Sequence, residues 1–62
     1  MKNYTVIVGN IGNVLETNSL KKAVKTFNKY VTFSKKDYGR AGHEDVTLFN
    51  NKFNDIEKEY IH

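Results

Sequence analysis

The sequence predicts a small α+β fold of ββαββ order, an antiparallel sheet with one amphipathic helix packed on one face. Three observations lead there. An apolar stripe recurs at helical spacing through the middle of the chain, and β-branched runs flank it on both sides. Short stretches rich in glycine or asparagine separate the runs within each flank.

Tyr4-Thr5-Val6-Ile7-Val8 is β-branched and aromatic and reads as the first strand. Gly9-Asn10-Ile11-Gly12 supplies residues that tolerate positive φ, so the chain turns there and Val14-Leu15-Glu16 returns as a short second strand. Thr17, Asn18 and Ser19 are each competent to cap the next element. Leu20, Ala23, Val24, Phe27 and Val31 then follow i, i+3, i+4, i+7, i+11, with Tyr30 at the edge of the stripe. That spacing predicts a helix over about 19 to 35. Gly39 stops it, and Lys35 and Lys36 sit where the C-terminal dipole favours cations.

Val46-Thr47-Leu48-Phe49 reads as a third strand and Asn50-Asn51 as a tight turn. Phe53, Ile56, Tyr60 and Ile61 fit one helical face, while Ile56 and Tyr60 with Lys58 between them also fit a strand. The asparagine turn implies a returning partner, so the expectation is a strand over about 55 to 61. Phe27, Phe33, Phe49 and Phe53 are expected in the core, with Tyr4, Tyr30 and Tyr60 lining the helix–sheet boundary. Alternation places Tyr4, Val6 and Val8 on one sheet face and Thr5 and Ile7 on the other.

A chain of 62 residues allows a single domain, residues 1–62, with no linker or repeat dividing it. So small a domain buries only about 60% of the surface its unfolded chain exposes. There is no cysteine, which excludes disulfides and thiolate zinc sites. His43 and His62 are the only histidines, so neither a metal site nor a cofactor is expected. Self-association is the remaining stabilising device, and an apolar second sheet face carrying Ile7, with Phe49 a candidate addition, suits a homo-oligomer. No apolar run approaches a signal peptide or membrane span, so the expectation is a cytoplasmic protein with no membrane partner.

The net charge of +3 conceals an asymmetry. Residues 18–43 set Lys21, Lys22, Lys25, Lys29, Lys35, Lys36 and Arg40 against Asp37 alone, a net +6. Residues 44–62 set Glu44, Asp45, Asp55, Glu57 and Glu59 against Lys52 and Lys58, a net −3. A basic middle and an acidic tail imply a polyanionic partner or protomers attracting one another through opposite patches.

Two basic constellations follow. Lys21, Lys25 and Lys29 recur at i, i+4, i+8, where like charges cost about 0.2–0.5 kcal/mol per pair and no acid in the helix relieves them. That row is either a solvated face or a rail for nucleic-acid phosphates. Beyond it, Lys35, Lys36, Tyr38, Gly39, Arg40, Gly42 and His43 form a candidate ligand site. Glycines let backbone amides approach an anion, Arg40 offers a bidentate fork, and Tyr38 offers a face for a base or a hydroxyl for a sugar. The plainer alternative has the glycines end the helix and Arg40 pair with Glu44 or Asp45. His43, Glu44 and Asp45 are consecutive at a strand entry and point to alternating faces, which argues against a catalytic triad and for a non-enzymatic protein.

Gly39-Arg40-Ala41-Gly42 is similar to the G-x-x-G loop of KH-type RNA-binding domains, although that loop joins two helices and Gly42 here precedes a strand. Taken together, Gly9-Asn10-Ile11-Gly12, the amphipathic helix, Tyr38-Gly39-Arg40-Ala41-Gly42 and Glu44-Asp45-Val46-Thr47-Leu48-Phe49 resemble small uncharacterised proteins of tailed phages. The resemblance spans most of the chain and carries no functional residue across. It implies a phage or prophage setting, in which a small non-enzymatic protein counters host defence. The resulting expectation is a binder of a phosphate-bearing ligand, such as a host immune-signalling nucleotide. The alternatives are a nucleic-acid binder using Lys21, Lys25 and Lys29, and a protein–protein inhibitor of a host defence factor.

Overall fold

The computed structural model describes residues 2–37, 39 and 42–62. Its elements run β1 (Tyr4–Val8), β2 (Gly12–Thr17), α1 (Leu20–Lys35), β3 (Val46–Asn50) and β4 (Asp55–Tyr60). The ββαββ order expected from the pattern is the one observed. The four strands form one antiparallel sheet in the order β2-β1-β3-β4, so β1 and β3 are central. The last segment is a strand and not a helix.

Helix α1 lies across one face of the sheet. Val6 and Val8 of β1, Val46 and Leu48 of β3, and Ala23 and Phe27 of the helix make the buried core. Tyr4, Val14, Leu15, Val24, Tyr30, Val31, Phe33 and Tyr60 pack around it partly exposed. Tyr30 and Phe33 meet edge to face, with ring centroids 5.5 Å apart. Leu20 shares the stripe but stands in the first turn and is 45% exposed.

The three candidate caps divide the work at the start of α1. Ser19 is the N-cap, its Oγ accepting from Lys22 N at 3.2 Å. Thr17 Oγ1 accepts from Ser19 N at 3.0 Å, and Asn18 Oδ1 accepts from Asn3 N at 2.9 Å. Each hydrogen bond gives an otherwise unpaired backbone donor a partner.

Two expectations for the second half are corrected. Phe49 and Phe53 do not join the core. Val46, Leu48 and Asn50 alternate inward along β3, so the strand period turns Phe49 to the open face, where it pairs with Ile56. Phe53 falls in the β3–β4 turn and is 71% exposed. The turn is also longer than an asparagine pair. Asn50 ends β3, and its Oδ1 accepts from Lys52 N and Phe53 N at 3.0 and 3.2 Å. Asn51 Nδ2 donates to Lys2 O and to Thr5 Oγ1, fastening the turn to β1 and the residues before it. Asn54 completes the reversal in the left-handed region, with φ 54°.

The open face of the sheet carries Ile7, Phe49 and Ile56 as an apolar strip. Opposite, on the far side of the helix, lies the lysine face.

Candidate basic face and helix-end loop

Lys21, Lys22, Lys25, Lys29 and Lys36 are all exposed. At about 100° per residue they fall within an arc of about 100°, on the side of α1 turned away from the buried Ala23 and Phe27. Successive steps from Lys21 to Lys25 to Lys29 advance about 6 Å along the axis. The helix contains no acid. Among the described residues none of these five ammonium groups is within ion-pair distance of a carboxylate. Lys29 Nζ rides 5.9 and 5.7 Å from the ring centroids of Tyr30 and Phe33, which steadies its stem without neutralising its charge.

The loop after α1 is built around Ser34, which is fully buried. Its carbonyl oxygen accepts from Asp37 N at 3.2 Å and from His43 N at 3.1 Å. Its hydroxyl donates to Glu44 O at 2.7 Å. One residue, through its carbonyl and its hydroxyl, thus pairs with the end of the helix and with the returning chain together. Ser34 is a structural residue that the sequence pattern did not single out. The available signal was its place on the apolar stripe, seven residues after Phe27.

The two glycines serve this geometry. Gly39 has φ 60°, in the left-handed region. At Gly42 a Cβ would lie 2.8 Å from the Cα and carbonyl carbon of Asp37, so the close approach of the two loop arms requires glycine. Gly42 N donates to Gly39 O at 3.3 Å, and His43 N is committed to Ser34. Both amides are therefore directed into the chain.

Of the expected ligand residues, Tyr38 and Arg40 lie outside the described residues. Lys35 leans away from the loop, its Nζ 5.6 Å from the Tyr60 ring centroid on β4. Lys36, the helix C-cap, belongs with the lysine arc. His43 turns toward Asp37, with Nε2 to Oδ2 at 3.3 Å, and toward His62, with Nδ1 to Nε2 at 2.7 Å. Glu44 lies against the β1–β2 turn, where a Cβ on Gly9 would come within 3.0 Å of its Oε1. Asp45 takes the backbone N–H of His62 at 2.9 Å, and its carbonyl takes that of Gly9 at 3.0 Å. His43, Glu44 and Asp45 are thus drawn to three different neighbours and do not converge.

Two hollows lined by described residues lie elsewhere. An open one of about 360 Å³ on the free sheet face is bordered by Thr5, Ile7, Asn13, Glu16, Phe49 and Asn51. A smaller one of about 180 Å³ lies between Lys2, Asn3, Asn51 and Lys52. No described helix is long and apolar enough to cross a membrane.

Comparison with protein-family models, with curated proteins and with solved structures gives no match. The functional reading therefore rests on the chain's own geometry and chemistry.

Proposed function

We propose that this protein is a non-enzymatic binder of a phosphate-bearing polyanion, a nucleic acid, through the outer face of α1. The observation that carries the reading is the row Lys21, Lys25 and Lys29, widened by Lys22 and Lys36, with no described carboxylate to neutralise it. Concentrating like charge on one face costs stability, and an external anion relieves that cost. The spacing of about 6 Å between successive lysines approximates the rise of two nucleotides along one strand, about 7 Å.

A compact nucleotide bound at the helix-end loop is the second reading, favoured by Lys36 and the glycines beside the helix C-terminus. The inward commitment of the Gly42 and His43 amides weighs toward the helix face. In the phage setting implied by the sequence resemblance, either binder acts on the host by occupying its target. The apolar strip of Ile7, Phe49 and Ile56 supports self-association of such a binder through the sheet, which leaves the lysine face free.

The test is binding of a fluorescent oligonucleotide at low salt by the wild type and by the triple variant Lys21→Glu, Lys25→Glu, Lys29→Glu. The reading expects retention by the wild type and loss of at least about 100-fold in the variant, roughly 1 kcal/mol for each lysine that faces a phosphate. Binding of a mononucleotide alone, unaffected by the three substitutions, moves the assignment to the loop.

A further inference from the structure

We propose that His43 and His62 form a two-nitrogen site for a divalent transition-metal ion, with Asp37 as the carboxylate that orients it. This inference does not rest on the nucleic-acid reading. His43 Nδ1 and His62 Nε2 face one another at 2.7 Å, with ring centroids 4.5 Å apart. Two imidazole nitrogens so close need something between them, because their lone pairs repel. A proton fills that role in the hydrogen bond, and a metal ion is the other group that suits it. At metal–nitrogen distances of about 2.0–2.1 Å, two cis ligands stand about 2.9 Å apart at a right angle and about 3.3 Å apart in a tetrahedron. The observed separation reaches those values by a few tenths of an ångström of movement in exposed rings.

The surroundings have the features of a metal site's outer shell. Asp37 Oδ2 lies 3.3 Å from His43 Nε2, and its negative charge favours the tautomer with hydrogen on Nε2, whose Nδ1 lone pair faces His62. This carboxylate–histidine arrangement fixes tautomer and ring direction in metal sites generally. On the other side, the Asp45 carboxylate pins the backbone N–H of His62 at 2.9 Å. Among the described residues, Asp37 and His43 are also two of the three non-glycine residues at positive φ, 53° and 59°. Residues with a side chain rarely adopt that region, and here it falls at the two residues whose side chains meet.

No cluster of three or more histidine, cysteine, aspartate or glutamate side chains among the described residues has metal-binding geometry. The site is accordingly a pair, completed by water and open to exchange. Imidazole donors select Zn²⁺, Ni²⁺ or Cu²⁺ over Mg²⁺ or Ca²⁺. A bound ion would tie His62, two residues past the end of β4, to the end of the loop after α1.

The experiment titrates Zn²⁺, and separately Mg²⁺, into the full chain at neutral pH by calorimetry, with histidine ring resonances followed by NMR. The proposal expects one Zn²⁺ per chain, joint shifts of the His43 and His62 rings, and no response to Mg²⁺. His43→Ala and His62→Ala should each weaken Zn²⁺ binding at least about 10-fold, and Asp37→Asn about 10-fold through the outer shell. Circular dichroism of each variant checks that the fold is kept; should one fail to fold, His62→Gln serves as the second test. Zn²⁺ binding unchanged in the folded His62 variant, or shifts that leave both rings unmoved, overturns the proposal.

Discussion

The buried hydroxyl of Ser34 donates to the backbone carbonyl of Glu44 at 2.7 Å, joining the last turn of α1 to the start of β3. That bond, with the two amides on the Ser34 carbonyl, sets where the loop leaves and rejoins the core.

Ser34→Ala should therefore destabilise the fold by about 1–3 kcal/mol, since it leaves the part-buried Glu44 carbonyl without its partner. Urea denaturation followed by circular dichroism measures this. An unchanged midpoint would mean that water replaces the hydroxyl without loss.

The two loop glycines should respond differently to alanine. Gly39→Ala meets open space and costs about 1 kcal/mol for its left-handed backbone. Gly42→Ala drives a methyl group into the Asp37 backbone and should cost more, with visible rearrangement of the loop in amide NMR spectra. Equal small effects at both positions would contradict the close approach of the loop arms.

Strand β3 and the turn after it separate two apolar residues that the sequence does not rank. Leu48→Ala should cost about 2–5 kcal/mol, because Leu48 is fully buried between helix and sheet. Phe53→Ser should stay within about 0.5 kcal/mol of wild type, since the ring is exposed in the turn. Thermal melts of the two variants decide it, and a large loss from Phe53→Ser would place that ring in a core.

The helix was legible because Leu20, Ala23, Val24, Phe27 and Val31 keep a helical period over three turns, and the strands because β-branched runs stand between turn residues. The charge asymmetry was equally plain, and it points to the same lysines that the structure exposes on one face. What the pattern could not give was parity in β3. Leu48 and Phe49 are adjacent and both apolar, so only the pairing with β1 decides which one faces the helix. Ser34 escaped notice because a hydroxyl on an apolar stripe looks like a surface residue until its distant carbonyl partner is seen. The meeting of His43 and His62, 19 residues apart, depends on β4 returning beside β3 and leaves no local trace in the sequence. Tyr38 and Arg40, two members of the expected ligand site, lie outside the described residues.

The salt dependence of oligonucleotide binding tests the helix-face account most directly. If Lys21, Lys25, Lys29 and Lys22 each neutralise a phosphate, log K should fall with log salt at a slope of about −3 to −4. Replacing Lys21, Lys25 and Lys29 by alanine should flatten that slope by about 2 to 3. A slope near zero in the wild type, or one that the triple variant leaves unchanged, would contradict it.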